Sequence, residues 1–320
     1  MNTNQGTDAR AGVVASFASI YLIWGTTYLA IAFVIRTIPP FIAGGIRYGV
    51  GALLLYAWLR WRSREPLRGV PIVAAMLCGV FLSGIGNGFV IWAQQGVPSG
   101  VAALIVAATP VVVSLFDWAW FSRKVPNTRA LLGIAVGLAG VVTIVTHTHD
   151  LTSGAQPLHL AAMFAAVVGW SFGTLQQKRL ANSETVLSFT CVQMFGGGVF
   201  QFAMATFDRE WPQLDVTQIS LASAVALGYL IVFGSIIALS AYLWLLTRVP
   251  SQKVTTYALV NPIVALILGA VVLHERITFV AVVAASLVLI GVALVMFPQR
   301  SKPKLPPRRS ESATACARTS

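Results

Sequence analysis

The sequence predicts an all-α polytopic membrane protein: ten transmembrane helices, arranged as two inverted five-helix repeats around a central cavity. Three observations predict it. First, 57% of the 320 residues are hydrophobic and 10% charged, with a mean hydropathy of +0.78. A soluble domain carries about 25% charged residues, so this much apolar surface has no single water-soluble core to hide in. Second, apolar stretches of about 20 residues, the length needed to cross the hydrocarbon layer, recur along the whole chain. Third, one pattern occurs twice. Val97-Pro98-Ser99 leads on to Thr109-Pro110, and Val249-Pro250-Ser251 leads on to Asn261-Pro262. The Pro-Ser pairs and the interior prolines are both offset by 152 positions.

In chain order the predicted spans are 12–35, 40–59, 70–93, 99–121, 129–146, 158–177, 185–207, 219–246, 251–273 and 279–297. The first lacks the basic leader and cleavage site of a signal peptide and reads as a retained helix. The joining loops are short, so no soluble domain fits between spans. The expected divisions are a cytoplasmic segment 1–11, a first five-helix repeat 12–150, a second 151–297, and a disordered basic tail 298–320.

Lys and Arg in the loops set the orientation. With the N-terminus inside, inner segments and the tail carry eighteen and outer loops three (Arg36, Arg209, Arg276); Arg47 lies within the second span. Both termini are therefore expected in the cytoplasm, and the acidic loop with Asp208, Glu210 and Asp215 outside. The net charge of +12 is spread over these loops, which excludes a nucleic-acid face.

Five spans per half is an odd number, so the second half starts from the opposite side and the repeats are inverted. Echoes accompany the duplicated prolines: Trp24 with Trp170 in the first span of each half, Arg47 with Gln193 in the second, and Trp92 with Trp244 in the third. Internal repeats and interrupted helices are the sequence mark of secondary transporters, which place their sites at the repeat interface.

Pro110 and Pro262 each remove a helix hydrogen bond and free the carbonyl four residues earlier, at Val106 and Ala258. A freed carbonyl in lipid must find a partner. Lining of a cavity and a plain packing kink are the two readings. Thr109 and Asn261 adjoin these prolines, and Asn261 is the stronger candidate for a substrate contact, since an amide in hydrocarbon requires hydrogen bonds. Asn87 lies within Gly84-Ile85-Gly86-Asn87-Gly88 and is expected to face the cavity; the glycines serve either close packing or exposure of backbone to a pocket. Arg47 is an intramembrane charge, for which snorkelling to the outer interface, a structural hydrogen bond and a substrate contact all stand open. Trp24 and Trp170 lie deep and are cavity candidates, together with Tyr242. Trp92 and Trp244 sit near span ends and read as interface anchors, as do Trp58, Trp61, Trp118 and Trp120. Gly44-Gly45 and Gly196-Gly197-Gly198 point to close helix packing, within a subunit or between two.

Cys78, Cys191 and Cys316 form no disulfide or metal pattern. His147, His149 and His159 read as residues of a solvated loop, and no metal or cofactor is expected. No Asp or Glu falls at mid-membrane, which disfavours a proton-driven cation pump and favours facilitated movement or exchange of neutral, zwitterionic or anionic metabolites.

These features resemble the EamA branch of the drug/metabolite transporter superfamily, over about residues 12–297. Trp24-Gly25, Ile46-Arg47-Tyr48, Thr109-Pro110, Asn261-Pro262, His274-Glu275-Arg276 and Gly291-Val292-Ala293 carry the resemblance. It implies ten helices, an inverted five-plus-five repeat, a central cavity, and export or exchange of small metabolites. Arg123-Lys124 stands where the second half has Glu275-Arg276 and where relatives often keep a Glu, so no acidic role is carried onto Arg123. The expected function is secondary transport of amino acids or related compounds by alternating access, with a nucleotide-sugar or sugar-phosphate exchanger, or a proton-coupled multidrug exporter, as alternatives. An intramembrane enzyme would need clustered carboxylates, His or a Ser/Lys pair at one depth, and a channel a polar ring made by several subunits; neither is visible. The expected partners are a small-molecule substrate and the lipid bilayer, without nucleic acid, in a monomer or homodimer in a bacterial inner membrane.

Overall fold

The computed structural model describes residues 4–123, 125–147, 157–182, 184–249, 254 and 256–296. Long helices follow one another: α1 (Asn4–Val34), α2 (Pro40–Arg62), α3 (Ile72–Ala93), α4 (Ser99–Phe121), α5 (Thr128–Thr146), α6 (Pro157–Leu180), α7 (Val186–Phe207), α8 (Leu221–Arg248), α9 (Tyr257–Val272) and α10 (Phe279–Met296). Among the described residues, eight are long and apolar enough to cross a membrane; the apolar part of α5, Thr128–Ile144, and α9 are shorter. The 16 residues of α9 rise about 24 Å, short of the ~30 Å hydrocarbon layer. Among the described residues there is no strand. The chain is a polytopic, all-helical membrane protein. Its outer faces carry large apolar side chains turned away from the protein, such as Leu22, Leu53, Val73 and Phe207, as a lipid-facing surface requires.

The helices begin and end within a few residues of the predicted spans, with informative differences. α2, α6 and α8 run on through Arg62, Arg179 and Arg248, because long basic side chains keep their stems in apolar surroundings while the charge reaches water. α9 begins at Tyr257. The second Pro-Ser pair, Pro250 and Ser251, lies outside the described residues. So do Lys124, His149, Lys253, residues 1–3 and the tail with Cys316.

Glycines set how closely the helices approach. Along α2, Gly44, Gly45, Gly49 and Gly51 meet Gln201, Phe202, Gly198 and Met194 of α7. From Gly45 to Gly51 the partner numbers fall as the α2 numbers rise, so the two helices are antiparallel. A Cβ on Gly198 would come within 3.0 Å of the Gly49 backbone nitrogen. Small residues are what let helices pack at this distance in lipid. The same holds for α5 and α10, where Gly133, Gly137 and Gly140 meet Leu294, Gly291 and Val288 in reverse order. In α4 and α9, Gly100 meets Leu266 and Ser99 meets Gly269. The glycine pairs read from sequence are thus used inside the chain. The echo of Arg47, Gln193, is fully buried in the contact of α7 with Gly79 of α3.

Two carboxylates fasten helix starts from a distance. α2 begins at Pro40, so Phe41 and Ile42 supply its first free N–H groups. Both donate to Glu210, at 3.0 and 2.9 Å. α4 begins at Ser99, and the N–H groups of Ser99 and Gly100 donate to Glu275 at 2.8 and 3.1 Å. Each Glu follows a residue with a left-handed backbone, Arg209 (φ 54°) and His274 (φ 56°). At α7 the Glu210 N–H returns to the Ala205 carbonyl at 2.8 Å, the bond of a Schellman ending, and this turn throws the carboxylate across to α2. A negative charge at a helix start is favoured by the unpaired N–H groups and the dipole together. Burial, with Asp208 adding, pushes the Glu210 carboxyl above the usual carboxylate range, and its two N–H donors pull it back. With the folded pKa raised, the carboxyl contributes most to stability below its unfolded pKa, and that contribution is lost as pH rises through the folded value.

Glu210→Ala and Glu275→Ala are each expected to lower stability by about 1–3 kcal/mol by leaving two N–H groups unmet. The Gln variants, which keep an acceptor, should lose less. Thermal unfolding in detergent checks this; Ala variants as stable as wild type would remove the caps from the account.

Candidate functional site

Seven helices surround a small central cavity of about 60 Å³, room for about two water molecules. α1 contributes Trp24, Thr27, Tyr28 and Ile31, one helix face at steps of three and four. Arg47 and Tyr48 come from α2, Gly86, Asn87 and Val90 from α3, and Val106 and Thr109 from α4. Ala166, Val167 and Trp170 of α6, Gly234 and Leu239 of α8, and Tyr257 and Asn261 of α9 complete the wall.

Two of the lining helices widen to π-helical pitch here, α3 over Val80–Asn87 and α8 over Leu230–Ile237. Such turns detach carbonyls from the regular ladder and recur at functional sites. The Gly234 carbonyl accepts from Trp24 Nε1 at 3.3 Å. In α3 both readings of the glycine run apply: Gly84 and Gly88 pack against Phe200 and Gln201 of α7, while Gly86 faces the cavity beside Trp170. Asn87 lines the cavity, its amide nitrogen 3.4 Å from the Leu82 carbonyl.

The duplicated prolines behave differently. α4 is interrupted at Ala108, ahead of Pro110, whereas α9 runs through Pro262 unbroken. The carbonyl freed at Val106 is met by the Thr109 hydroxyl at 2.5 Å, so Thr109 serves the helix break while it lines the cavity. Pro110 faces a second space, and Pro262 is buried without lining either one. The Asn261 amide nitrogen, oriented by its neighbours, reaches the carbonyls of Tyr21 and Tyr257 at 3.3 Å each. Asn261 lines the cavity and ties α9 to α1.

Tyr242 departs from expectation. It is fully buried and does not line the cavity. It sits behind the wall, in an aromatic cluster centred on Trp24, whose ring lies 5.6 Å from Trp170, 5.1 Å from Tyr242 and 4.9 Å from Tyr257. Beyond the cluster, toward the end where α1 begins, the second space is a vestibule of about 370 Å³ lined by Pro110, Ser114, Asp117, Thr174, Lys178 and Leu246. Trp170 and Thr174 are one turn apart on α6, so the aromatic layer is the partition between the two spaces.

Arg47 is 2% exposed. Its Nε donates to Ser235 Oγ of α8 at 2.7 Å, and its guanidinium lies 4.9 Å from the Tyr48 ring. The snorkelling reading is therefore corrected: the side chain stays inside, hydrogen-bonds a neighbouring helix and lines the cavity. Trp92 hydrogen-bonds Asp208 at 2.8 Å and packs against His159 at the far end. Trp61 and Trp120 are exposed. Sequence reasoning missed Thr27, Tyr28, Tyr48 and Tyr257. The signal was present: Thr27 and Tyr28 follow Trp24 by three and four, and Tyr257 precedes Asn261 by four.

Removing the partition tests its weight. Trp170→Ala is expected to cost about 1–3 kcal/mol, less than truncation of a fully buried aromatic, because Trp170 is half-buried. Trp61→Ala, at a position 84% exposed, should stay within about 0.5 kcal/mol of wild type. Thermal unfolding of both variants reads the difference; equal losses would contradict a packed aromatic layer.

The model of the EamA-like transporter family matches residues 11–146 and again 158–297. The uncharacterised inner membrane transporter YedA of Escherichia coli is 33% identical over 299 residues, 90% of this chain and 93% of its own. Protein PagO of Salmonella typhimurium is 26% identical, over 78% of this chain and 81% of its own. A WAT1-related chloroplastic protein of Arabidopsis thaliana is 23% identical, over 88% and 68%. One crystal structure, 19% identical in sequence, superposes with a TM-score of 0.62 over 89% of this chain and 97% of its own, a likeness of fold. Two family matches that together span nearly the whole chain, and a relative one-third identical along it, establish that the chain belongs to the EamA-like transporter family of membrane transporters.

Proposed function

We propose that the chain is a secondary transporter that moves small metabolites, amino acids or related compounds, by alternating access between two five-helix halves, 12–150 and 151–297. The observation that carries this reading is the central cavity, walled by helices of both halves and parted from a larger vestibule by one aromatic layer. A change at that layer would join the two spaces and let the cavity exchange its contents with the vestibule side.

The pairing of helices supports ten spans in two inverted repeats. Counterparts in the two halves touch each other: α2 with α7, α4 with α9, and α5 with α10, each antiparallel as glycine partners show. Trp24 of α1 meets Trp170 of α6. The π-helical turns of α3 and α8 stand at matching places, 150 positions apart. A two-fold axis in the membrane plane gives such pairs. The loop charge supports cytoplasmic termini, and the naming of the Escherichia coli relative as an inner membrane transporter supports that location. The proposed substrate contacts are Trp24, Asn87, Thr109, Trp170 and Asn261, with Tyr242 acting through the aromatic layer.

The test is uptake of labelled amino acids into proteoliposomes, with and without an imposed pH gradient, for wild type and Asn261→Ala. Uptake without a gradient, reduced at least tenfold in the variant, is expected. Uptake only under a gradient would sink the uncoupled reading, and no uptake of any amino acid would remove the substrate class.

A further inference from the structure

We infer that Arg47 is the receptor for a carboxylate, and that the solutes moved are organic acids or zwitterions whose carboxylate lies beside an apolar or aromatic body. The inference rests on the transport reading of the central cavity and names its substrate class.

Arg47 keeps only 2% of its surface exposed, and Nη1 is enclosed without any hydrogen-bond partner. Its one hydrogen bond is from Nε to Ser235, and the guanidinium lies over the Tyr48 ring, 4.9 Å from its centre. Among the described residues no Asp or Glu lines the cavity, and Arg47 has no ion-pair partner. A guanidinium stays charged at any relevant pH, and a buried charge without a counter-ion is strongly unfavourable. Intramembrane charges are commonly paired or functional for this reason. Here the chain holds the charge in place without an anion to neutralise it. The π-helical turn of α8 is shaped to it: Ser235 accepts from Nε, and Gly234 leaves the room, since a Cβ there would come 3.1 Å from Nη2. The free edge of a planar guanidinium matches a carboxylate, which accepts two parallel N–H groups.

The rest of the wall narrows the class. It offers aromatic faces, Trp24, Tyr28 and Trp170, and the neutral polar groups of Thr27, Asn87 and Thr109, with no acid for an ammonium group. An amino acid is thus held by its carboxylate, and its amine is not required. A monocarboxylate of the same body, such as 4-methylpentanoate, binds as well as leucine, while leucinamide, a cation, does not.

The purified full chain is tested by thermal unfolding with four probes: 4-methylpentanoate, L-leucine, 4-methylpentanamide and L-leucinamide. The expected result is that both carboxylates raise the wild-type Tm and both amides leave it unchanged. Arg47→Met should abolish the rise while its ligand-free Tm does not fall below wild type, because a buried charge without an anion has been removed. Arg47→Lys, which keeps the charge without the fork, should keep the rise at an affinity at least tenfold weaker, and it stands in if the Met variant fails to fold. Equal shifts from acids and amides would overturn the carboxylate assignment. So would undiminished amino-acid uptake by Arg47→Met; in either case the transporter reading survives. A folded wild type that responds to none of the probes and takes up no amino acid would overturn both.

Discussion

In a layer without water, every polar group is answered by the same chain or carries a large cost, and this constraint organises the molecule. Hydroxyls within the helices turn back on their own backbone: Thr27 to Trp24, Thr109 to Val106, Ser114 to Pro110, Ser171 to Val167. Helix starts that proline leaves bare are closed by Glu210 and Glu275 from elsewhere in the chain. Asn261 spends its amide nitrogen on two carbonyls. Several buried polar atoms have no partner, among them both amide atoms of Gln94 and Gln193 and the hydroxyls of Ser83 and Tyr242; Arg47 Nη1 is the charged one of them, and it lies where helices of both halves face each other.

The second constraint is distance. Glycine on α2, α5, α7 and α10 lets helices of the first half lie almost backbone to backbone on their counterparts in the second. Tight contact at the flanks leaves the larger side chains to meet in the middle, where Trp24, Trp170, Tyr242 and Tyr257 fill the section between cavity and vestibule. Aromatic rings suit a closure of this kind. They exclude water over a wide area, hold few rotamers, and pack edge to face in more than one arrangement.

Much of this was legible in the sequence. Length and hydropathy located the helices, because a span is long and its signal simple. Trp24, Asn87, Thr109, Trp170 and Asn261 were found as cavity residues because a polar or bulky side chain in mid-span has few other reasons to be there. Other features were hidden for physical reasons. Tyr242 lies on the same helix as Gly234 but two turns on, and its register depends on a π-helical turn that changes the phase of α8; a count of 3.6 residues per turn misplaces every side chain beyond that turn. Glu210 read as one member of an acidic loop, since nothing local shows that a left-handed Arg209 aims it at a helix 168 residues away in sequence. Gln193 echoed Arg47 in position and polarity, yet a glycine opposite it drew it into a helix contact. Thr109-Pro110 and Asn261-Pro262 looked alike, yet only the first coincides with a broken helix.

The central claim is that the cavity opens to each side in turn through rearrangement of the two halves. The direct measurement is labelling of Asn87→Cys, in a chain with Cys316 replaced by Ser, by a membrane-impermeant thiol reagent applied to spheroplasts and, separately, to inverted vesicles. The parent chain with Cys316 intact, labelled only in the inverted vesicles, fixes which side is cytoplasmic. The account predicts that Asn87→Cys reacts in both preparations and that a transported solute slows the reaction in each. Reaction from one side alone, unchanged by any solute, would contradict it.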